Sequence, residues 1–424
     1  MKVLVVNTFE DRGGAAVAAG RLVHTLNLAG VEAKMLVRDR TTPSPRVTSV
    51  RDSWVNVAKF VGERLGIAAA NGFNRRDLFA VSTGSTGIDI TALPEFDEAD
   101  VIHLHWVNQG FVSLAGLSRI IASGKPIVWT MHDMWPCTGI CHHARECEAY
   151  RDGCGCCPFL GRWGHHGDLS ARVFRRKERI YERAGRLTFV ACSEWLHRRA
   201  EASPLLQGHP VVTIPNPIDT TLFAPRDKAA ARRALGLPGD KRLVLFGSVR
   251  LDDKRKGIDY LIEACRIFVT KYPEKAGHVA VVALGGGSDA LRGRLPFDLH
   301  TLDYTRDARR MAEVYNAADT FVTPSLEENL PNMVMESMAC GTPCIGFDVG
   351  GIPEMIDHLH NGYVAGYKSA ADIAKGIKWM LFQDSLDELS QAAVRKVREC
   401  YDQMTVARRY IDIYEKSLST ASHQ

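Results

Sequence analysis

The chain has 424 residues, which at about 150 residues per domain predicts two to three domains and leaves ample length for two sizeable cores. Its 46% apolar and 24% charged residues exclude wholesale disorder and fibrous repeats. The 53 Lys and Arg against 49 Asp and Glu leave a net charge of +4, too small a surplus to predict nucleic-acid binding.

The first apolar run is only Val3 to Val6, shorter than the apolar region of a signal peptide. No uninterrupted apolar stretch approaches the roughly 20 residues of a membrane span. A cytoplasmic protein is therefore expected, with peripheral contact to the cytoplasmic face of a membrane left open. Lys2 to Phe9 reads as a strand, Gly13-Gly14 as a turn, and Ala15 to Ala29 as a helix stopped by Gly30, the opening of an α/β unit. Val31 to Val37, Val101 to Leu104, Pro126 to Thr130 and Arg186 to Ala191 read as further strands. Residues 40–60 are richer in Pro, Ser and Thr and give no clear element, and the stretch 137–157 is an irregular, cysteine-rich excursion. Ile214-Pro215-Asn216-Pro217 predicts an extended connector, because a residue before proline is driven out of the helical region.

A second α/β series follows. Arg242 to Phe246 is a strand ended by Gly247, Ile258 to Phe268 a helix, and Val279 to Leu284 a strand. Ala312 to Ala318 is helical, Thr320 to Thr323 a strand, Pro331 to Cys340 a helix and Cys344 to Phe347 a strand, while the last 50 or so residues are helical. Pro near the first turn and Gly341 just past the end are the normal punctuation of such a helix. The expected organisation is an N-terminal doubly wound domain over 1–212, a C-terminal one over 213–400, and a closing helix over 401–424. Ligands in such sheets sit outside the carboxyl ends of the strands, so the chemistry belongs in those loops.

Four constellations lie there. Glu328 and Glu336 are eight positions apart, about 12 Å along one continuous helix and too far for a paired acid and base. Pro331 instead puts Glu328 in a loop and Glu336 in a helix whose first amides, near Asn332 and Met333, form an anion site. The two carboxylates can then grip the two ends of an extended polar ligand; the alternative is a solvated helix residue and a charge on the helix dipole. Arg250 and Lys256 lie in a glycine-bounded loop after a strand and can clamp a diphosphate, one as a planar fork and the other as a point charge. The adjacent Asp252-Asp253 pair, flanked by cations, makes no convincing metal site. Gly13-Gly14 lacks the full dinucleotide fingerprint but permits close approach of a phosphate or sugar. His132, at a strand end, can bond a substrate hydroxyl or act as an acid or base, or be a satisfied structural histidine.

The set of Glu328, Glu336, MACGTPCIGFDVGGIPE, IPNPIDTTLFAP, YNAADTFVTPS and the Arg250/Lys256 loop resembles the retaining glycosyltransferases of family 4. The resemblance covers essentially the whole chain and is most specific over residues 211–366. HDMWPCTGIC and its cysteines are similar to a subgroup that builds exopolysaccharide, the colanic-acid-type enzymes. It implies the GT-B fold, two Rossmann-like doubly wound domains facing an interdomain cleft, with YDQMTVARRYIDIYEKSL as the helix that returns to the first domain. It implies a hexosyltransferase whose donor is a nucleotide-diphosphate sugar and whose acceptor is a lipid-linked oligosaccharide. By that resemblance Glu336 holds the nucleotide ribose, Glu328 the donor sugar, and Arg250 and Lys256 the departing diphosphate. The amides of Asn329, Leu330, Pro331, Asn332 and Met333 lie along the donor, Gly13 and Gly14 near the diphosphate, and His132 near the transferred sugar. No divalent metal is implied for transfer. Asn329 stands where the family often has Gly.

Cys141, Cys147, Cys154 and Cys157 have five, six and two residues between them, and the closing C-x-x-C suits a tetrahedral structural zinc. The first pair is wider than usual for such a site, and His142, His143, Cys137 and Cys156 offer substitute ligands; disulfides and free thiols are the alternatives. ARVFRRKERIYERAGR, residues 171–186, is a basic amphipathic helix that either lies on anionic lipid or is a surface helix with an ordinary core stripe. Two other functions fit the same residues: a nucleotide-sugar epimerase on this fold and a non-catalytic nucleotide-sugar-binding subunit.

Overall fold

The structure, a computed structural model, describes residues 1–50, 54–74 and 77–419. The last five positions of the segment read as the closing helix, 420–424, and positions 51–53 of the uncertain 40–60 stretch lie outside the described residues. The chain forms two compact units, Met1–Pro217 with the chain from Val406 onward, and Ile218–Thr405.

The first unit is a seven-stranded parallel sheet of β1 (Lys2–Phe9), β2 (Glu32–Asp39), β3 (Val47–Ser49), β4 (Val101–Leu104), β5 (Ile127–Met131), β6 (Leu187–Ala191) and β7 (Val211–Thr213), in the order β3-β2-β1-β4-β5-β6-β7. The second is a six-stranded parallel sheet of β8 (Arg242–Arg250), β9 (Val279–Gly286), β10 (Asp298–Leu302), β11 (Thr320–Thr323), β12 (Cys344–Phe347) and β13 (Gly362–Ala365), in the order β10-β9-β8-β11-β12-β13. Both are doubly wound. The strand order reverses at β1/β4 in one and at β8/β11 in the other, the places where such sheets bind ligands.

Parallel strands are covered on both faces and so read as unbroken apolar runs. The two-residue period still sorts them. Leu4 and Val6 of β1 join Ile102, Leu104, Trp129 and Phe189 in one core, while Val3 and Val5 join Val101, Val128 and Val190 in another. Val406, Ala407, Tyr410 and Tyr414 of the helix Gln403–Ser419 complete that second core. The tyrosine hydroxyls reach into the sheet: Tyr414 to His103 Nδ1 at 2.7 Å and Tyr410 to Thr130 at 2.9 Å.

Three local readings differ from expectation. The strand expected to end at Gly247 runs to Arg250, because Gly247 stays in register with Leu284 and its missing side chain leaves room for Met333. The 40–60 stretch contains β3, a three-residue edge strand that buries only Val47, and the start of the helix Trp54–Ala70, which buries Glu63 and Arg64 beside Ile67. The basic helix, Leu169–Tyr181, turns Val173, Phe174, Ile180 and Tyr181 into its own core, so its apolar stripe is the core stripe and not a lipid-facing one. Among the described residues no helix is long and apolar enough to cross a membrane.

Candidate functional site

In the second unit, two loops at the β8/β11 reversal are locked together by a glycine. The short turn Lys254–Lys256 is capped by Asp253, whose carboxylate accepts from the Arg255 amide, and it ends at Gly257 with φ +74°. A Cβ there would lie 1.7 Å from the carbonyl oxygen of Pro324, so only glycine allows the turn to lie against the loop after β11. The Leu326 amide then donates to the Arg255 carbonyl at 2.8 Å. On the other side, Gly350, φ +60°, meets the Glu328 carbonyl so closely that a Cβ would sit 2.0 Å from it, and the Gly351 amide donates to the Asn329 carbonyl at 2.7 Å. The 325–331 loop is thus clamped from both sides before the helix Asn332–Ala339 begins.

This clamp brings Lys256 and Glu328 together, Nζ to Oε1 at 2.5 Å, across 72 positions of sequence. The ammonium has three donors, and Glu328 takes one of them. Four residues into the helix, Glu336 is buried, and its Oε2 accepts from the Tyr315 hydroxyl at 2.8 Å. Tyr315 was not singled out by the sequence reading, although it opens the YNAADTFVTPS run. Asn329 and Leu330 are buried in the clamped loop, and Pro331 is the N-cap residue of the helix, preceding Asn332 and Met333. Arg250 is placed differently. It is exposed, and its guanidinium is bidentate on Asp252 at 3.0 and 2.7 Å. Asp253 pairs with Arg255 at 2.8 Å. The two acids set aside as a metal site therefore hold this loop's arginines.

In the first unit, Gly13, φ +86°, is the N-cap residue of the helix Gly14–Leu28 beyond β1, and no atom lies within 4 Å of where its Cβ would be. His132 follows β5 directly. Its Nε2 lies 2.8 Å from His105 Nδ1 and its Nδ1 lies 3.7 Å from the Cys192 sulfur. Behind it the His103 ring lies 4.3 Å from that of His105, tilted by 41°, and bonds Thr130 at 2.8 Å. Burial pushes His132 down to about 4 and His103 to about 3, and His105 lies well below its ordinary value for the same reason. His132 is accordingly a neutral hydrogen-bonding ring at physiological pH, not a resting acid. Asp133 accepts from Trp106 Nε1 at 2.8 Å and the Trp135 amide at 2.8 Å, and pairs with His142 at 2.7 Å. Despite a burial cost that works the other way, these partners, His142 foremost, hold its carboxyl down near 2. His105 was missed by the sequence reading, because its separation of 27 positions from His132 carries no local signal; Asp133 and His142 stand in motifs that were read, but their pairing with each other was not legible there.

The histidine group has a pH consequence. Between the ordinary imidazole value and about 4, the unfolded rings bind protons that the folded ones do not, so stability is lost as pH falls through that window. Denaturant unfolding of the full chain should lose about 2 kcal/mol for each such ring between pH 7.5 and pH 5. A flat profile across that range would show that the rings can take up protons in place.

The cysteines 141, 147, 154 and 157 are free thiols, as are the seven others. All four line one cavity of about 10 Å³. Burial pushes Cys154 up to about 11 and Cys157 up to about 12. As placed, no three His, Cys, Asp or Glu side chains among the described residues already form a metal-holding group.

A family model described as Glycosyltransferase Family 4 matches residues 12–222, and one described as Glycosyl transferases group 1 matches residues 240–383. A D-inositol 3-phosphate glycosyltransferase of Thermobispora bispora is 29% identical over 341 residues, 77% of this chain and 73% of that protein. Two further proteins of that name are matched over 51% and 45% of their length, so the chain spans about half of those relatives. Among solved structures, the sucrose-phosphate synthase of Thermosynechococcus elongatus superposes with a TM-score of 0.66 at 18% identity, covering 99% of both chains. Anabaena Alr3699/HepE, solved in complex with UDP-glucose, superposes at 0.62 and 15% identity, covering 99% of this chain and 100% of that one. Two doubly wound parallel-sheet units, each matched by a glycosyltransferase family model, place this chain among the glycosyltransferases of the GT-B fold.

Proposed function

We propose that the protein is a retaining family 4 hexosyltransferase that moves a sugar from a nucleotide-diphosphate donor to a hydroxyl of a lipid-linked oligosaccharide in exopolysaccharide synthesis. The observation that carries the reading is the Lys256–Glu328 pair held 2.5 Å apart beside a helix N-terminus, with Glu336 fixed by Tyr315 inside that helix. As the bond from the sugar's C1 to the diphosphate oxygen breaks, its electron pair goes to that oxygen. The acceptor oxygen bonds C1, and its proton passes to the leaving phosphate. Lys256, Arg250 and the amides of Asn332 and Met333 meet the charge that develops, and cations already in place cost no reorganisation at that moment. Glu336 takes the ribose hydroxyls and Glu328 the hydroxyls of the transferred sugar, while Asn329, Leu330 and Pro331 shape the loop that carries Glu328. In the first unit, Gly13 and Gly14 leave room at a helix N-terminus for a phosphate, and His132 is a neutral ring able to donate or accept at a sugar hydroxyl. No metal is required for the transfer.

The acceptor class is supported by the helix Trp54–Ala70, which is turned inside out. Glu63 and Arg64 are buried, whereas Trp54, Val57, Val61 and Leu65 are exposed, Trp54 by 90%. An apolar outer face of this kind suits the boundary of a lipid layer and peripheral contact at the cytoplasmic face of a membrane. The curated relatives favour a second acceptor, inositol phosphate.

The test is a product assay in chelator, with UDP-, GDP-, ADP- and dTDP-sugars offered to lipid-linked oligosaccharide or to inositol phosphate. Free nucleoside diphosphate with a glycoside of retained configuration on the lipid-linked acceptor is the expected result. An isomerised donor would identify an epimerase, donor binding without turnover a binding subunit, and transfer to inositol phosphate alone would replace the acceptor.

A further inference from the structure

The excursion 137–157 has no helix beyond short 3₁₀ turns and no strand of its own, yet Cys137, Cys141 and Cys157 are buried. A segment with so little regular structure does not order itself by backbone hydrogen bonds alone. Cys141, Cys147, Cys154 and Cys157 open onto one cavity of about 10 Å³, about the space of one small ion or water. The backbone is shaped around these sulfurs. Arg145, Cys154 and Cys156 all adopt positive φ (55°, 60° and 48°), and Gly153 and Gly155 do so at 98° and 128°. This tight winding turns the C-x-x-C pair toward the cavity. Two amides point at the sulfurs: Gly139 N–H at Cys154 Sγ, 3.3 Å, and Phe159 N–H at Cys157 two residues on. Amide donors aimed at sulfur are the kind of outer contact that orients a metal's ligands.

A second observation is independent of the cysteines. Lys177 is fully buried, and its ammonium donates only to the carbonyls of Trp135 and Thr138, at 2.5 and 2.9 Å, with the Trp135 ring 3.6 Å away. No carboxylate among the described residues is ion-paired with it. A buried cation without a counter-charge is costly, and burial accordingly pushes Lys177 down to about 7. A dication held by four thiolates carries a net charge of −2 and would supply that counter-charge from the adjoining cavity.

We propose that Cys141, Cys147, Cys154 and Cys157 bind one structural zinc ion as thiolates, with Lys177 as its buried counter-cation. Binding exchanges the four S–H protons, which go to solvent, for four Zn–S bonds, with no change of oxidation state. Drawing the sulfurs onto the ion closes the cavity they line. The site then ties Cys141 in place, and with it the adjacent His142, which pairs with Asp133 beside His132. That last link, from zinc to the sugar-facing histidine, rests on the transferase reading; the zinc site does not.

Elemental analysis of the full chain, purified without added metal and dialysed against a weak chelator, tests this. About one zinc per chain is expected, released in step with mercurial titration of the thiols. Cobalt substitution should show sulfur-to-metal charge transfer and the intense d–d bands of a tetrahedral site. Cys154→Ser and Cys157→Ser should each lose the metal, while Cys400→Ser, in the other unit, should retain it. Because the first two variants can fail to fold, the wild-type cobalt spectrum stands as the separate readout. Wild-type protein without zinc would overturn the proposal, whether its four thiols alkylate freely or its mass shows two disulfides. Zinc present with no transferase activity would leave the site standing and sink only the link to His132.

Discussion

Lys256→Ala is expected to lower turnover by about 10²- to 10³-fold, the usual cost of removing one preorganised group that meets developing charge. Donor affinity should fall far less, because the ammonium gains most when the leaving diphosphate takes up its charge. The structure shows why the residue can be this selective. Without donor, Glu328 holds the Lys256 nitrogen at 2.5 Å, so part of its charge is already neutralised. As charge builds on the phosphate the same nitrogen can share its other two donors. Glu328→Gln separates the two roles: it leaves Lys256 charged and in place but weakens its hold on the sugar hydroxyls. Steady-state kinetics with the preferred donor would check both. An unchanged turnover number in Lys256→Ala would put the diphosphate elsewhere. Arg250→Ala should cost less than Lys256→Ala, since Asp252 grips that guanidinium in the open.

Glu336→Ala is the other large effect. Hydrogen bonds to a charged group contribute about 1.5–3 kcal/mol each, so losing the ribose contacts should weaken donor binding by about 10- to 100-fold. The melting-point rise that the right nucleotide gives the wild type should shrink accordingly. Glu336 is buried with one oxygen on Tyr315, so a smaller drop in the ligand-free melting point is expected as well. Tyr315→Phe tests positioning. It should raise KM for the donor several-fold and leave the turnover number nearly unchanged. Equal donor affinity in Glu336→Ala and wild type, by calorimetry, would remove Glu336 from the site.

Much of this was legible in one dimension. Short apolar runs marked β1, β2, β4, β5, β6, β8, β9, β11 and β12, because a strand covered on both faces needs no polar alternation. Pro331 and Gly341 bracketed the helix that carries Glu336 for local reasons of φ and missing amides. The four edge strands β3, β7, β10 and β13 passed unread, since an edge strand has a neighbour on one side only and is held to a weaker apolar pattern. The helix Trp54–Ala70 was missed because its polarity is inverted, charges inward and apolar residues outward.

The sequence by itself determined the two α/β series, the loops at the strand ends and the residue types in them, since these depend on local backbone preference and on apolar periodicity. Only the tertiary structure decided which of those residues meet. Lys256 reaches Glu328 because Gly257 lets two loops touch at Pro324, and Glu336 is fixed by a tyrosine 21 positions earlier. His132 became a neutral ring through burial against His105, and Arg250 was drawn to Asp252. Contacts across such separations depend on how strands order themselves in a sheet, and desolvation depends on what is packed around a group. Neither quantity is carried by the neighbours of a residue along the chain.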